Sequence, residues 1–119
     1  MIEKRGVDVE IEQLRKAFVS GAPVEYKLHC QKRMLERNIT RKDIENSILN
    51  GEIIEDYPLD EDNVSMGSYP SCLILWVNIE GCGIIHVVVG FNGRKIIIIS
   101  AYHPDSDHWE NDFKTRRLK

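Results

Sequence analysis

Residues 71–103 read SCLILWVNIEGCGIIHVVVGFNGRKIIIISAYH, three long apolar segments separated by two short linkers that contain glycine. Each segment is rich in Ile, Val and Leu, residues that favour β-strands. Asn92-Gly93 between two such segments is a strong hairpin signal. The sequence therefore predicts three consecutive antiparallel strands. The second and third are apolar on both faces, so we expect helices, the C-terminal segment or a partner chain to cover both faces of the sheet.

The hairpin turn also predicts a strand register. A two-residue turn pairs Phe91 with Arg94, and the rest of the ladder follows. In this register His86 and His103 share one face of the sheet, and Tyr102 lies on the other. A slip of a single residue would reverse these faces, because side chains alternate along a strand.

Residues 40–50, TRKDIENSILN, carry the strongest helix signal in the chain. Thr40 is a suitable N-cap, and Asp43 stands three residues later, where a capping box places its acid. Ile39 and Ile44 occupy the two positions of a hydrophobic staple. This pattern predicts a helix over residues 41–50.

The remaining elements are predicted from weaker signals. Asp8 is a candidate N-cap for a first helix with apolar residues at helical spacing (Ile11, Leu14 and Phe18). A short extended segment, VEYKL, precedes a second helix at about residues 29–37. Asn50-Gly51 predicts a left-handed helix end, and EIIEDY after it predicts a strand. The predicted fold is one α+β domain over residues 1–119, with N-terminal helices packed on a C-terminal antiparallel meander sheet of about four strands.

The amino-acid composition indicates the general class of protein. The chain has 119 residues, of which 42% are hydrophobic and 29% charged, values typical of a folded globular domain. The start of the chain has no apolar signal sequence, no apolar run is long enough to span a membrane, and three Cys without a CxxC pair indicate a reducing compartment. We therefore expect a cytoplasmic protein.

The charges are distributed unevenly along the chain. Residues 26–42 hold six Lys or Arg and one Glu, residues 52–62 hold six acids and no base, and the tail KTRRLK adds four positive charges. The net charge of −3 argues against a protein that coats nucleic acid non-specifically. A basic patch able to meet phosphate groups, separate from an acidic patch, is the expected result.

Five motifs in order resemble a known family: HCQKRMLERNIT, GEIIEDYP, YPSCLIL, HVVVG and SAYHPDSDHWENDFKTRR. They resemble the domain of unknown function 4258, which is related to the RelE/ParE/BrnT/MqsR-like toxins. The resemblance covers about residues 29–117. It implies a RelE/barnase-like core over residues 24–117 and leaves the N-terminal helix, residues 1–22, outside.

The resemblance also implies a function. Related toxins cut mRNA without a metal by driving the ribose 2′-OH onto the neighbouring phosphate, which needs proton-transfer groups and cations. We therefore expect the toxin of a type II toxin–antitoxin module, an endoribonuclease with no cofactor. Its expected partners are an RNA substrate, a zinc-ribbon antitoxin and further copies of itself. The alternative is a non-catalytic protein-binding module of the same fold.

The first group of candidate site residues lies on the predicted second helix. His29, Arg33 and Arg37 fall on one ridge, at the edge of the buried stripe. A His beside two guanidinium groups is suited to phosphate binding and proton transfer, with His29 as the catalytic member. In the structural alternative, His29 caps the helix start and the two Arg pair with acids of residues 52–62.

The second group lies at the sheet and in the tail. His86 and Tyr102 are candidate catalytic residues, although a His within an apolar strand is usually a satisfied core histidine. Arg116 and Arg117 are candidate phosphate ligands or a solvated basic terminus. Trp109 is expected to anchor the tail on the sheet. No metal is expected, because the Cys and His residues lack the paired spacing of metal ligands.

Overall fold

A computed structural model describes residues 6–7, 9–57, 59–60, 69–78, 80–81 and 83–118. Three helices are present in this part of the chain: α1 (Ile11–Val19), α2 (Leu28–Arg37) and α3 (Arg41–Asn50). The strands are β1 (Gly6–Val7), β2 (Val24–Tyr26), β3 (Glu52–Tyr57), β4 (Leu59–Asp60), β5 (Ser71–Asn78), β6 (Gly83–Phe91) and β7 (Ile96–Tyr102).

Five of these strands form one open mixed sheet in the order β2-β7-β6-β5-β3. The predicted class, α+β, and the antiparallel β5-β6-β7 meander are confirmed. The predicted strand number was too low, because the segment before α2 joins the sheet as β2, parallel to β7. The prediction that the helices precede the sheet was also wrong, since β2 lies between α1 and α2. β1 and β4 form a separate two-stranded sheet.

The helices pack on one face of the sheet, which we call the helix face. Leu14, Met34 and Ile48 of the three helices lie in one core with strand residues such as Val87 and Ile98. Along each strand the residues of this core alternate with residues of the opposite face, as the pleat requires. The helix face is therefore a continuous apolar core.

The two ends of α3 show one confirmed and one corrected prediction. The Thr40 hydroxyl accepts from the Asp43 N–H and the Asp43 carboxylate accepts from the Thr40 N–H, so the capping box is formed. Gly51 is extended, with φ −79° and ψ −178°, and is not left-handed. A Cβ there would lie 2.5 Å from both Ile74 Cγ2 and the Ser47 carbonyl oxygen, so glycine allows close packing of the helix end on β5.

The N-cap of α1 also differs from the prediction. Glu10 occupies that position without a side-chain capping bond, whereas Asp8 lies outside the described residues. Arg15 of α1 donates from Nε to the Ile48 carbonyl and from Nη2 to the Gly51 carbonyl, at 2.9 and 2.6 Å. The first helix therefore satisfies backbone carbonyls at the C-terminal end of α3.

The predicted register of the β6-β7 hairpin was wrong. Phe91 pairs with Ile96, so the connection has four residues rather than two. A bulge at Ile99 then shifts the ladder by one more residue, and His86 pairs with Tyr102. The longer loop alone would leave the predicted faces unchanged, because it adds an even number of residues. The single extra residue of the bulge reverses them.

The face opposite the helices is partly covered by residues 103–118, which we call the C-terminal segment. Trp109 is buried and its backbone pairs with that of Arg116, so the segment folds back on itself. Ion pairs join Lys114 to Glu52 and Arg116 to Glu55, both on β3. This arrangement meets the expectation that the C-terminal segment covers an apolar face.

Candidate functional site on the open sheet face

Two β-bulges bring ionisable side chains onto the face opposite the helices. In β3 the bulge at Ile54 separates Ile53, which packs on the helix-face core, from Glu55, which pairs with Leu73. In β7 the bulge at Ile99 places Tyr102 beside His86. Bulges re-aim side chains in this way and are frequent at functional sites. We call Glu55, Tyr57, His86, Tyr102 and Arg116 the sheet-face cluster.

His86 is the buried centre of the sheet-face cluster, with none of its surface exposed. Its Nε2 lies 2.7 Å from the Phe113 carbonyl oxygen, which only accepts, so Nε2 carries the proton. Its Nδ1 lies 3.2 Å from the Tyr102 hydroxyl, which therefore donates to it. Burial lowers the pKa of His86, in keeping with a neutral ring. Both ring nitrogens are satisfied, as expected of a core histidine.

Trp109 links His86 to the solvent-exposed part of the cluster. The Trp109 ring lies edge-on to the His86 ring, with 4.5 Å between the ring centres. The Arg116 guanidinium lies over the Trp109 ring, 4.6 Å from its centre. Trp109 is only 3% exposed, so it anchors the C-terminal segment as predicted. It also fixes the position of Arg116 above the sheet.

Glu55, Tyr57 and Arg116 form the accessible part of the cluster. Arg116 Nε and Nη2 donate to the two Glu55 oxygens at 2.7 and 3.0 Å, and the Tyr57 hydroxyl donates to Glu55 at 2.5 Å. The hydrogen bond from Arg116 holds the pKa of Glu55 below its usual range. Burial, together with the bond to Glu55, raises the pKa of Tyr57 to about 12. At neutral pH the group therefore comprises a carboxylate, a guanidinium and a protonated phenol.

Tyr102 joins the buried and accessible parts of the cluster. Its ring is partly exposed, and burial raises its pKa, with Arg116 and Glu55 both close enough to influence it. The hydroxyl is therefore protonated at neutral pH. Three of the predicted site residues, His86, Tyr102 and Arg116, are thus brought together by the fold.

The predicted α2 ridge lies elsewhere, on the helix side of the sheet. His29 and Arg33 are exposed, and Arg33 pairs with Glu36 at 3.1 Å. Arg37 is partly buried and donates to the Ala101 carbonyl oxygen at 2.7 Å. The N-cap of α2 is Lys27, so His29 is not the cap considered in the structural alternative. The ridge does not share a face with His86.

Two further residues of the sequence analysis have structural contacts outside the sheet-face cluster. Arg117 donates to the Ser106 carbonyl oxygen and pairs with Glu110, both within the C-terminal segment. The two ring nitrogens of His103 face the carbonyl oxygens of Ile84 and Arg37. Arg117 therefore binds its own segment, and His103 connects the end of β7 to the end of α2.

The cysteines of the described residues are buried and free. Cys30 and Cys72 make no disulfide, and burial raises the pKa of both thiols, that of Cys72 to about 12. Within the described ranges, no three His, Cys, Asp or Glu side chains are grouped so as to hold a metal ion. Cys82 lies outside the described residues.

Glu55 and Tyr57 were not among the predicted site residues. Both belong to EIIEDY, a short predicted strand that holds three acids and a tyrosine beside two isoleucines. That signal was present, but their shared face depends on the bulge at Ile54. Regular alternation would have placed Glu55 on the same face as Ile53.

The fold and its cluster define an α+β protein with helices on one face of a mixed sheet and an ionisable group on the other. Residues 26–103 match the family described as domain of unknown function (DUF4258), and the chain belongs to that family. The match includes four of the cluster residues and ends at His103, the first residue of the C-terminal segment that supplies Arg116. No curated protein and no solved structure matches the chain. None of the described helices has the length and apolar character needed to cross a membrane.

Proposed function

We propose that the chain is a metal-independent endoribonuclease that acts as the toxin of a toxin–antitoxin module, with its chemistry at the sheet-face cluster. The observation that carries the proposal is the convergence of Glu55, Tyr102 and Arg116 beside the buried His86. A carboxylate, a phenol and a guanidinium are the group types that 2′-OH transesterification requires. The relation of this family to RelE-like toxins, expected from the sequence motifs, favours the same class of reaction.

In the proposed reaction an RNA phosphate first competes with Glu55 for Arg116. Arg116 is the more exposed partner of that ion pair, with 56% of its side chain exposed against 22% for Glu55. Its guanidinium then neutralises charge on the pentacoordinate phosphorane. Release from Arg116 raises the pKa of Glu55, so the carboxylate becomes a better base as substrate binds.

The bond changes follow from these positions. Glu55 takes the 2′-OH proton as the 2′-oxygen bonds to phosphorus, and the bond from phosphorus to the 5′-oxygen breaks. As charge develops on the leaving 5′-oxygen, the Tyr102 hydroxyl exchanges its hydrogen bond to His86 Nδ1 for one to that oxygen and gives it the proton, so the products are a 2′,3′-cyclic phosphate and a 5′-hydroxyl. His86 does not touch substrate in this scheme and acts as a positioning residue, because its fixed tautomer orients Tyr102.

A second function is favoured by another observation. Both ion pairs between the C-terminal segment and β3, Arg116 to Glu55 and Lys114 to Glu52, join the same two parts of the chain. That pattern also suits a purely structural docking of the segment. The chain would then be a non-catalytic protein-binding module.

The deciding experiment is cleavage of a labelled single-stranded RNA by purified protein in the presence of EDTA. We expect cleavage with a 2′,3′-cyclic phosphate product, and no cleavage of the matching DNA, which lacks the nucleophile. Glu55→Gln, Tyr102→Phe and Arg116→Gln should each lower the rate by about 10²-fold or more. Arg117→Gln is the matched control, because Arg117 binds only its own segment, and should change the rate about twofold at most.

Two outcomes would overturn the proposal. Intact RNA with folded wild-type protein would exclude the ribonuclease and leave the binding module. Equal losses in Arg116→Gln and Arg117→Gln would exclude the cluster as the site. Induced expression of the same variants, with growth and mRNA integrity followed, tests the toxin role directly.

A further inference from the structure

We propose that a groove between α2, α3 and β2 binds an acidic, amphipathic polypeptide segment of a partner protein. The groove has a volume of about 290 Å³, and its walls include Tyr26, Met34, Leu35, Ile39 and Arg41. We call it the α2–α3 groove. It lies on the helix side of the molecule, away from the sheet-face cluster.

The apolar part of this surface extends along α2 beyond the groove. Leu28 and Leu35 stand two helical turns apart on the same side of α2, and they are 74% and 84% exposed. Met34 and Ile39, by contrast, are buried and form the floor of the groove. An exposed pair of Leu side chains continuous with an apolar groove matches the spacing of a helix-in-groove contact.

The charges around the groove determine which charge a bound segment should carry. Lys32 lies next to the Leu28–Leu35 line, and Arg41 and Lys42 begin α3. None of these three forms an ion pair with any residue that the structure describes. The Arg41 guanidinium instead lies 4.4 Å from the centre of the Tyr26 ring. Glu45 of α3 is close enough to Tyr26 to contribute to the raised pKa of that phenol, after the larger effect of burial.

Cations that form no ion pair with a described acid, beside an apolar groove, are complementary to a segment that combines Leu-type side chains with carboxylates. A basic or neutral segment would leave these cations without partners. The chain as a whole has a net charge of −3, so the cations beside the groove stand out against a molecule that is acidic on balance. This local charge contrast favours an acidic partner.

The groove gives the partner of the proposed toxin a specific docking surface, and in that sense the inference rests on the proposed function. The lining of the α2–α3 groove contains none of the residues of the sheet-face cluster. A bound segment would lie on the outer side of the helices, away from the sheet-face cluster, so peptide binding and RNA cleavage are separable measurements. If the peptide does not bind, the cleavage assay still tests the proposed ribonuclease, and if RNA is not cleaved, the binding assay still tests the groove.

The test uses a fluorescein-labelled helical peptide with Leu at helix-face spacing and Glu at the remaining surface positions. Anisotropy should show saturable binding to the full-length chain, weakened by about tenfold or more in Leu28→Glu and Leu35→Glu. Val19→Glu is the matched control, because Val19 is also helical and 74% exposed but lies on α1. It should change the affinity about twofold at most.

Each alternative gives a distinct result. No binding to wild type, equal binding of a scrambled peptide, or equal loss in Val19→Glu would overturn the proposed groove. A version of the peptide with Lys in place of Glu should bind more weakly, and equal binding would overturn the charge argument. A wild-type dimer that Leu35→Glu dissociates would assign the surface to a second copy instead. RNA cleavage by Leu35→Glu, measured in parallel, should equal that of wild type.

Discussion

The Nε2 atom of His86 lies 2.7 Å from the carbonyl oxygen of Phe113, and this bond joins the central strand of the sheet to the C-terminal segment. Phe113 has φ of 56°, a left-handed conformation that non-glycine residues rarely adopt. The segment is thus held in a strained conformation whose carbonyl points at a buried imidazole. The position of Arg116, three residues later, depends on that anchor.

The hydroxyl of Tyr102 should stabilise the fold through His86. In Tyr102→Phe the Nδ1 atom of a fully buried ring loses its hydrogen-bond donor, and we expect a loss of about 1–3 kcal/mol in the free energy of unfolding. Urea denaturation measures it. Tyr26→Phe is the control, since Tyr26 is also half-buried and its hydroxyl makes no hydrogen bond to a described residue. Equal effects of the two substitutions would contradict the bond.

Burial of neutral His86 should make stability depend on pH near neutrality. Because its pKa is lowered in the folded state, the unfolded chain binds a proton at this site first, at an ordinary pKa of about 6.5. Stability is therefore retained above about pH 6.5 and lost as the pH falls below that value, with a limiting slope of about 1.4 kcal/mol per pH unit.

The groups that face His86 do not titrate in this window. The pKa of Tyr102 is raised, that of Glu55 is lowered, and Arg116 keeps its charge. Urea denaturation across the pH range should therefore give a flatter profile for His86→Gln than for wild type. Parallel profiles would show that His86 is not the source of the pH dependence.

Gly51→Ala should destabilise the protein for a steric reason. The added Cβ would lie 2.5 Å from the Ser47 carbonyl oxygen and 2.8 Å from that of Leu75, and backbone atoms cannot move aside cheaply. We expect a loss of about 2 kcal/mol or more, measured by thermal or urea unfolding. Asn50→Ala, at the exposed preceding residue, should change stability by only about 0.5 kcal/mol. A neutral Gly51→Ala would contradict the close approach of α3 to β5.

The ion pair between Glu55 and Arg116 should contribute little to stability. Arg116 is more than one-third exposed, so solvent screens the pair, and a double-mutant cycle with Glu55→Gln and Arg116→Gln should give a coupling of about 0.5–1 kcal/mol. A small coupling in urea unfolding together with large losses of RNA cleavage is the result expected for a site. Coupling above about 2 kcal/mol would favour a mainly structural docking of the C-terminal segment.

Local patterns predicted most of the secondary structure. The three apolar segments became β5, β6 and β7, and the Thr40–Asp43 capping box began α3 at the predicted residue. Such signals depend on neighbours within a few positions, so they can be read along the chain. β2 was predicted only as an extended segment, because three residues carry no periodicity that indicates a parallel partner.

The candidate site was predicted only in part. His86, Tyr102 and Arg116 were selected from residue type and resemblance, but His86 and Tyr102 were assigned to opposite faces of the sheet. Glu55 was regarded only as one of several acids able to pair with the α2 arginines. Its actual partner, Arg116, stands 61 residues away along the chain.

For this chain, residue order alone specifies the meander, the α3 cap and the apolar stripes, because apolar runs, turn residues, capping and the alternation of side chains along a strand are local. The faces on which Glu55 and Tyr102 lie follow from single extra residues at Ile54 and Ile99, which interrupt that alternation. Bulges form where a strand must adjust to its neighbours and to the layers packed on it. That adjustment occurs only when the sheet assembles, so the sheet-face cluster forms only in the tertiary structure.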